Sequence, residues 1–241
     1  MPAPDLLIIA TGTPPPAIRA RFGEYTGWFV HAMRWPRARV QVVQVDAGQK
    51  LPPPRSVCGA VITGSLAMVS ERLDWSERTA GWLRDAMDAA LPLFGVCYGH
   101  QLLAHALGGR VDYLPAGREI GTQTISRLGE DAALDALHRL PAQFAAHTTH
   151  LQSVLEAPAG ARVLARTAQD AHHILAYGTR AFSTQFHPEF SAENMRAHLR
   201  NRAATLRDEG LDVAALSAAV RPAPHARGLL RGFAKLCAVA R

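Results

Sequence analysis

Apolar runs alternate with amphipathic segments along the first half of the chain. The pattern predicts strands and helices in alternation: strands over residues 5–11, 38–46, 57–65 and 92–96, and helices over residues 76–91 and 99–109. The first and last of these strands are nearly continuous apolar runs, which is typical of parallel strands that are covered on both faces. Gly108 and Gly109 end the second helix, since glycine is the residue that most often stops a helix.

The second half of the chain is rich in short strands, and helical patterns return only after residue 190. The predicted strands cover residues 119–128, 142–151, 161–168, 173–178 and 180–186. Short turns separate them, so we expect partly antiparallel pairing here. Residues 191–241 predict two or three helices, interrupted at residues 220–228. We therefore expect an α/β fold with a mostly parallel central sheet and helices on both faces, in a domain over residues 1–190, with residues 191–241 as a helical C-terminal extension packed on it.

Composition narrows the class of protein. The 241 residues are 48% hydrophobic, enough for one large domain with a modest extension. No apolar run reaches the ~18 residues of a membrane span, and the N-terminus lacks the basic segment of a secretion signal. Cys58, Cys97 and Cys237 are too few and too widely spaced for a disulfide framework or a zinc site. We expect a cytoplasmic protein with no membrane partner, no cofactor and no metal.

The net charge of +6 could indicate a nucleic-acid partner, but its distribution argues against one. From residue 192 onwards there are nine Lys/Arg and four Asp/Glu, so the preceding part of the chain is almost neutral. The basic residues are nearly all arginine in an alanine-rich chain, which a biased genome explains as well as a phosphate-binding surface does. We expect no nucleic-acid binding.

The segment "GVCYG" (95–99) places a cysteine between a predicted strand and a predicted helix. This is the nucleophile-elbow arrangement with cysteine in the place of serine, in which glycines on both sides permit the tight bend. A thiol at a helix N-terminus is favoured as thiolate, and the N–H of Tyr98 would point to a developing oxyanion. The alternative is an ordinary buried cysteine in the core. A nucleophile requires a base elsewhere in the chain.

His187 is the strongest candidate for that base among eleven histidines. In "QFHPEF" (185–190) it ends a strand, and the following proline favours extended geometry for it. Residues two apart in an extended segment face the same side, so Glu189 can reach the imidazole ring. A carboxylate there would orient the ring, as the third member of a nucleophile–base–acid triad does.

Taken together, these motifs resemble the class I, or triad, glutamine amidotransferases. The resemblance rests on "GVCYGHQLLAHALGG" and "FHPE", with "VITGS", "GREIGTQTI" and "THLQSV" in the family's order and spacing, and covers about residues 5 to 190. It implies a flavodoxin-like fold and a Cys97 thiolate that attacks the side-chain amide of glutamine, with His187 and Glu189 assisting. Gly64 and Tyr98 would supply the oxyanion hole, and the remaining matched positions would contact the substrate: Gln101, Thr149, Leu151 and Gln152.

Two segments depart from the family pattern. Ser65 follows Gly64 where the family often has paired glycines, and Leu151 and Gln152 replace a small residue and an acid of the guanylate-synthase type. The ~50 residues after the triad contain no phosphate loop and are too few for a synthase domain, so we expect a free-standing glutaminase-type domain.

Three functions are open at this stage. The first is release of ammonia from L-glutamine for an ammonia-accepting synthase partner. The second is hydrolysis of a γ-glutamyl compound by the same triad, as in a γ-glutamyl peptidase, and the third is a catalytically silent binding or regulatory protein. The C-terminal helices either pack on the domain or form a subunit interface, so a homodimer is a further expectation.

Overall fold

The computed structural model describes residues 5–239, which form eleven strands and nine α-helices. The strands are β1 (Leu6–Ala10), β2 (Val40–Gln44), β3 (Gly59–Ile62), β4 (Leu93–Val96), β5 (Arg110–Tyr113), β6 (Glu119–Arg127), β7 (Gln143–His150), β8 (Gln152–Glu156), β9 (Arg162–Arg166), β10 (Ile174–Ala176) and β11 (Ala181–Thr184). The helices are α1 (Pro16–Phe22), α2 (Tyr25–Met33), α3 (Asp74–Asp88), α4 (Tyr98–Ala106), α5 (Ala132–Leu137), α6 (Ala192–Asn201), α7 (Ala203–Asp208), α8 (Val213–Ala218) and α9 (Pro224–Val239).

Nine strands form one mixed sheet in the order β2-β1-β3-β4-β11-β10-β9-β6-β7. The first five are mutually parallel, and the remaining four pair antiparallel. Only β10 and β6 run against the others, so most of the described strands share one direction. The expected α/β fold with a mostly parallel sheet is confirmed, and so is antiparallel pairing in the second half. Strands β5 and β8 form a separate antiparallel pair.

The core lies on both faces of the parallel strands. All five residues of β1 are buried, and they alternate between two apolar clusters as successive residues of a strand must. Leu6 and Ile8 pack in the cluster that includes residues of α2 and α9, whereas Leu7 and Ile9 pack in the cluster of α3 and α4. The carboxyl ends of the parallel strands therefore lie at one edge of the sheet, whose two faces are both covered by apolar side chains.

The C-terminal helices differ in number from the expectation. Residues 191–239 form four helices rather than two or three, because the chain bends at Arg202 between α6 and α7. The last of them, α9, packs under the sheet, where the rings of Phe233 and Phe94 lie 5.4 Å apart. The boundary at residue 190 stays a prediction. None of the helices formed by residues 5–239 is long and apolar enough to cross a membrane.

Candidate active site

Cys97 stands at a sharp turn between β4 and α4. Its backbone has φ 52° and ψ −102°, a conformation that side-chain-bearing residues rarely adopt and that functional sites often stabilise through the surrounding fold. A Cβ atom on Gly95 would lie 2.4 Å from the carbonyl oxygen of Gly99, and one on Gly99 would lie 2.4 Å from the carbonyl oxygen of Ile62. The turn is thus so tight against its neighbours that both flanking positions require glycine.

His187 and Glu189 follow β11, the parallel neighbour of β4, so the sheet brings them to the same edge as Cys97. The Nδ1 atom of His187 lies 2.7 Å from Oε1 of Glu189, and both residues are buried. The N–H of His187 donates to the carbonyl oxygen of His147, and the imidazole stacks on the Phe190 ring at 4.1 Å. Backbone, carboxylate and aromatic ring therefore fix the orientation of this histidine.

The electrostatics of the cluster favour the charged form of His187. Burial by itself lowers the pKa of the imidazole, but the negative charges of Glu189 and Cys97, with the hydrogen bond to Glu189, outweigh it. The pKa of His187 is raised from 6.5 to about 10. Near neutral pH the cluster therefore contains an imidazolium in the cavity that Cys97 also lines.

Replacing Glu189 with glutamine is expected to lower the pKa of His187 from about 10, because the largest influence that opposes burial is removed. NMR titration of isotope-labelled histidine would measure this shift directly. Protonated His187 stabilises the wild-type fold fully below pH 6.5, and this contribution is lost as the pH rises through about 10. The variant should therefore lack that slope in its unfolding free energy.

Glu193→Gln is the matched control for this substitution. Glu193 lies four residues away on the same segment, is exposed and pairs with Arg21 rather than with a histidine. The pKa of His187 should stay near 10 in this variant. An unchanged His187 pKa in Glu189→Gln would show that the carboxylate does not control the imidazole.

A cavity of about 60 Å³ opens beside Cys97, and four predicted substrate contacts line it: Gln101, Thr149, Leu151 and Gln152. The Nε2 of Gln101 donates to the carbonyl oxygen of Gln152 at 2.6 Å and to Oε1 of Gln185 at 3.0 Å. The side chain of Gln152 was expected to contact the substrate, but its Nε2 instead donates to Oγ of Ser70. Thr149 is available, because its buried hydroxyl has no hydrogen-bond partner among residues 5–239.

A second, smaller cavity of about 20 Å³ lies on the His187 side of Cys97, and Gly64 forms part of its wall. A Cβ on Gly64 would lie 3.1 Å from Cε1 of His187 and 3.7 Å from Cβ of Cys97, so this backbone is close to both side chains. Its carbonyl oxygen accepts from Oγ1 of Thr11. Tyr98 is the first residue of α4, where an N–H has no acceptor within the helix. Both predicted oxyanion positions thus border Cys97.

Sequence reasoning assigned no role to two arginines in these walls. Arg118 lines the first cavity, Tyr25 lines the second, and Arg202 lines both. Arg118 forms a bidentate ion pair with Glu209, whereas the buried Nε of Arg202 has no hydrogen-bond partner in the described part of the chain. The sequence carried no signal for Arg202, because it resembles the many other arginines of the C-terminal segment.

The sequence matches a family model and is similar to several characterised proteins. The family model of class-I glutamine amidotransferases matches residues 22–205. A GMP synthase [glutamine-hydrolyzing] from Aeropyrum pernix is 33% identical over 151 residues, which are 62% of this chain and 27% of that protein. Gamma-glutamyl peptidase 5 from Arabidopsis thaliana is 28% identical over 137 residues, 56% of this chain and 55% of that protein. The chain therefore spans from about a quarter to about half the length of these relatives.

A solved structure of a glutamine amidotransferase from Thermotoga maritima superimposes with a TM-score of 0.76, covering 97% of this chain and 98% of that chain. Its sequence identity is 18%, so this likeness concerns the fold alone. The family model, by contrast, matches the segments that contain the cysteine turn and the His-Pro-Glu motif. The chain belongs to the class I glutamine amidotransferase family.

Proposed function

We propose that this protein hydrolyses the side-chain amide of L-glutamine through a γ-glutamyl thioester on Cys97. The observation that carries the proposal is that Cys97, in its strained turn, lines one small cavity with His187 and Glu189, and that Nδ1 of His187 lies 2.7 Å from Oε1 of Glu189. This is the arrangement that activates a nucleophile next to an oriented base. Glu189 is assigned the orienting role.

The reaction has two balanced halves. The Cys97 sulfur attacks the amide carbon, and the backbone N–H groups of Gly64 and Tyr98 stabilise the oxyanion. His187 then gives its proton to the leaving amide nitrogen, so that ammonia departs and the thioester remains. In the second half, water gives a proton to His187 and its oxygen attacks the thioester carbon. The C–S bond then breaks and glutamate leaves, so that the free Cys97 sulfur and protonated His187 are restored.

Substrate binding is assigned to the larger cavity. Both Nε2 protons of Gln101 are used within the protein, so its oxygen is the atom left to accept from the substrate ammonium group. The unpartnered hydroxyl of Thr149, together with the backbone and side chains at Leu151 and Gln152, completes the wall.

The size of the second cavity favours glutamine over larger γ-glutamyl compounds. The leaving group must depart on the side of its proton donor, His187, where the cavity measures about 20 Å³. That volume fits about one molecule the size of water or ammonia. We therefore propose ammonia as the leaving group, with delivery to an ammonia-accepting synthase.

Hydrolysis of γ-glutamyl peptides is the second candidate, and Arg202 is the observation that favours it. Its guanidinium group borders both cavities and has an unsatisfied buried Nε, which suits the carboxylate of a leaving amino acid. This alternative requires the small cavity to widen on binding.

Labelling with a chloroketone analogue of glutamine tests the pocket and the nucleophile together. We expect one adduct by intact mass, located on Cys97 and suppressed by excess glutamine. Iodoacetamide, which needs a reactive thiol but no pocket, is the control. Labelling of Cys97 by iodoacetamide alone, combined with turnover of γ-glutamyl dipeptides rather than glutamine, would overturn the proposal in favour of the second candidate.

A further inference from the structure

A second cluster of buried ionisable side chains lies beneath the glutamine pocket, outside the triad. It contains two histidines and two acids, all at most 4% exposed: Glu119, His150, Asp170 and His173. Glu119 begins β6, His150 ends β7 beside it, and the other two stand before β10. These four groups take no part in the proposed reaction, so their presence together in the interior requires a separate explanation.

The polar atoms of the cluster converge on one point. Oε2 of Glu119 lies 3.0 Å from Nε2 of His150 and 2.9 Å from Nε2 of His173. Oδ2 of Asp170 lies 4.0 and 3.9 Å from the same two nitrogen atoms. Zinc bonds of about 2.0–2.1 Å in a tetrahedral arrangement separate the donor atoms by about 3.4 Å. The observed separations lie on both sides of that value.

Hydrogen bonding restricts the protonation of His150. Its Nδ1 lies 3.0 Å from the carbonyl oxygen of Gln152, which can only accept, so Nδ1 carries a proton. Its Nε2 therefore faces Glu119, within hydrogen-bond distance of Oε2 at 3.0 Å. This nitrogen is placed either to donate to the carboxylate or to bind, together with it, a cation between the two atoms.

His173 is buried without a conventional partner. Its ring is fully buried, and neither ring nitrogen forms a well-aligned hydrogen bond with any residue between 5 and 239. Its Nε2 nevertheless approaches Oε2 of Glu119 to 2.9 Å. The two atoms are therefore close enough either to form an ion pair or to bind one ion as two of its ligands.

The other oxygen and nitrogen atoms are held in the way that outer partners hold metal ligands. Thr167 Oγ1 donates to Oε1 of Glu119, the carboxylate oxygen that does not face the histidines. The remaining nitrogen of His150 donates to a backbone carbonyl, a common partner of a ligating histidine. A divalent ion would also balance the two carboxylates while both rings stay neutral, which avoids burying uncompensated charge.

We propose that Glu119, His150 and His173, whose ligand atoms all lie within 4.8 Å of one another, bind a divalent transition-metal ion of the zinc class. The two-imidazole donor set with carboxylate oxygen suits zinc better than calcium or magnesium. We assign the site a structural role, because it is connected to the glutamine pocket. The carbonyl oxygen of Gln152 accepts hydrogen bonds both from His150 of the cluster and from Gln101 of the pocket. No metal was predicted from the sequence, because these ligands lie at separate positions in the chain and form no recognisable spacing motif.

Zinc binding by the untagged protein tests the proposal independently of any activity. After dialysis into metal-free buffer, titration with ZnCl₂ followed by native mass spectrometry should show one tightly bound ion per chain. Co²⁺ bound in its place should give a visible absorption spectrum that zinc abolishes. His173→Gln should weaken binding at least about 100-fold, more than the loss of an outer partner does.

His172→Gln is the matched control, because it makes the same chemical change at the adjacent residue. This side chain is outside the cluster, and the variant should bind zinc as the wild type does. Failure of the wild-type protein to bind zinc or cobalt would overturn the proposal and leave the histidines as a pair of buried imidazolium ions. Undiminished binding by His173→Gln would place the ion elsewhere and overturn it equally.

Discussion

Replacing Cys97 with alanine is expected to lower glutamine hydrolysis on the order of 10⁴-fold or more, since no thioester can form. The remaining rate would come from the backbone N–H groups and the bound orientation of the substrate alone. The fold should survive, because alanine is strained no more than cysteine at φ 52° and the side chain is small. Glutamate formation, measured by a coupled enzymatic assay, gives the rate.

Cys58→Ala is the control, because it removes the same atom from another buried site. Cys58 precedes β3 and packs in the core near α9, away from the two cavities. This variant should retain the wild-type rate while losing some thermal stability through the small cavity created. A Cys97→Ala protein that releases glutamate as fast as Cys58→Ala would exclude Cys97 as the nucleophile.

The parts of the fold that could be predicted are those whose sequence signal is local. Strands β1, β3 and β4 are entirely buried, so each is an apolar run that predicts a strand without knowledge of its neighbours in the sheet. The turn at Cys97 could be predicted as well, because its two glycines and the beginning of the following helix lie in one short segment. His187 and Glu189 were found for the same reason, since an extended His-Pro-Glu segment places both on one side.

The parts that escaped prediction depend on contacts between distant segments. Strand β5 is mostly exposed and pairs with β8 forty residues later, so it has no apolar pattern of its own. Helix α5 has only six residues, which are too few to show a helical period between the neighbouring strands. Arg202 reaches the cavities only because the chain bends between α6 and α7. Tertiary packing, rather than local pattern, decides such positions.

Substitution of Gly99 by alanine is expected to cost about 3 kcal/mol or more of folding free energy, at the upper end for overpacked sites. The new Cβ would lie 2.4 Å from the carbonyl oxygen of Ile62 and 2.8 Å from its Cβ, and these atoms belong to a central strand. Relief requires α4 to move away from β3, which also breaks the hydrogen bond from Gly99 N–H to the Thr63 carbonyl. Urea unfolding at equilibrium measures the loss.

Gly81→Ala makes the same change with the opposite expected sign. Gly81 lies inside α3, and a Cβ there would meet only the end of the Arg84 side chain at 3.7 Å. Alanine should therefore stabilise the protein by about 0.5–1 kcal/mol through its better helix propensity. Because both variants add one methyl group, the difference between them isolates the close approach of α4 to β3. If Gly99→Ala were as stable as Gly81→Ala, the turn at Cys97 would not be held by this contact, and its strained backbone would need another cause.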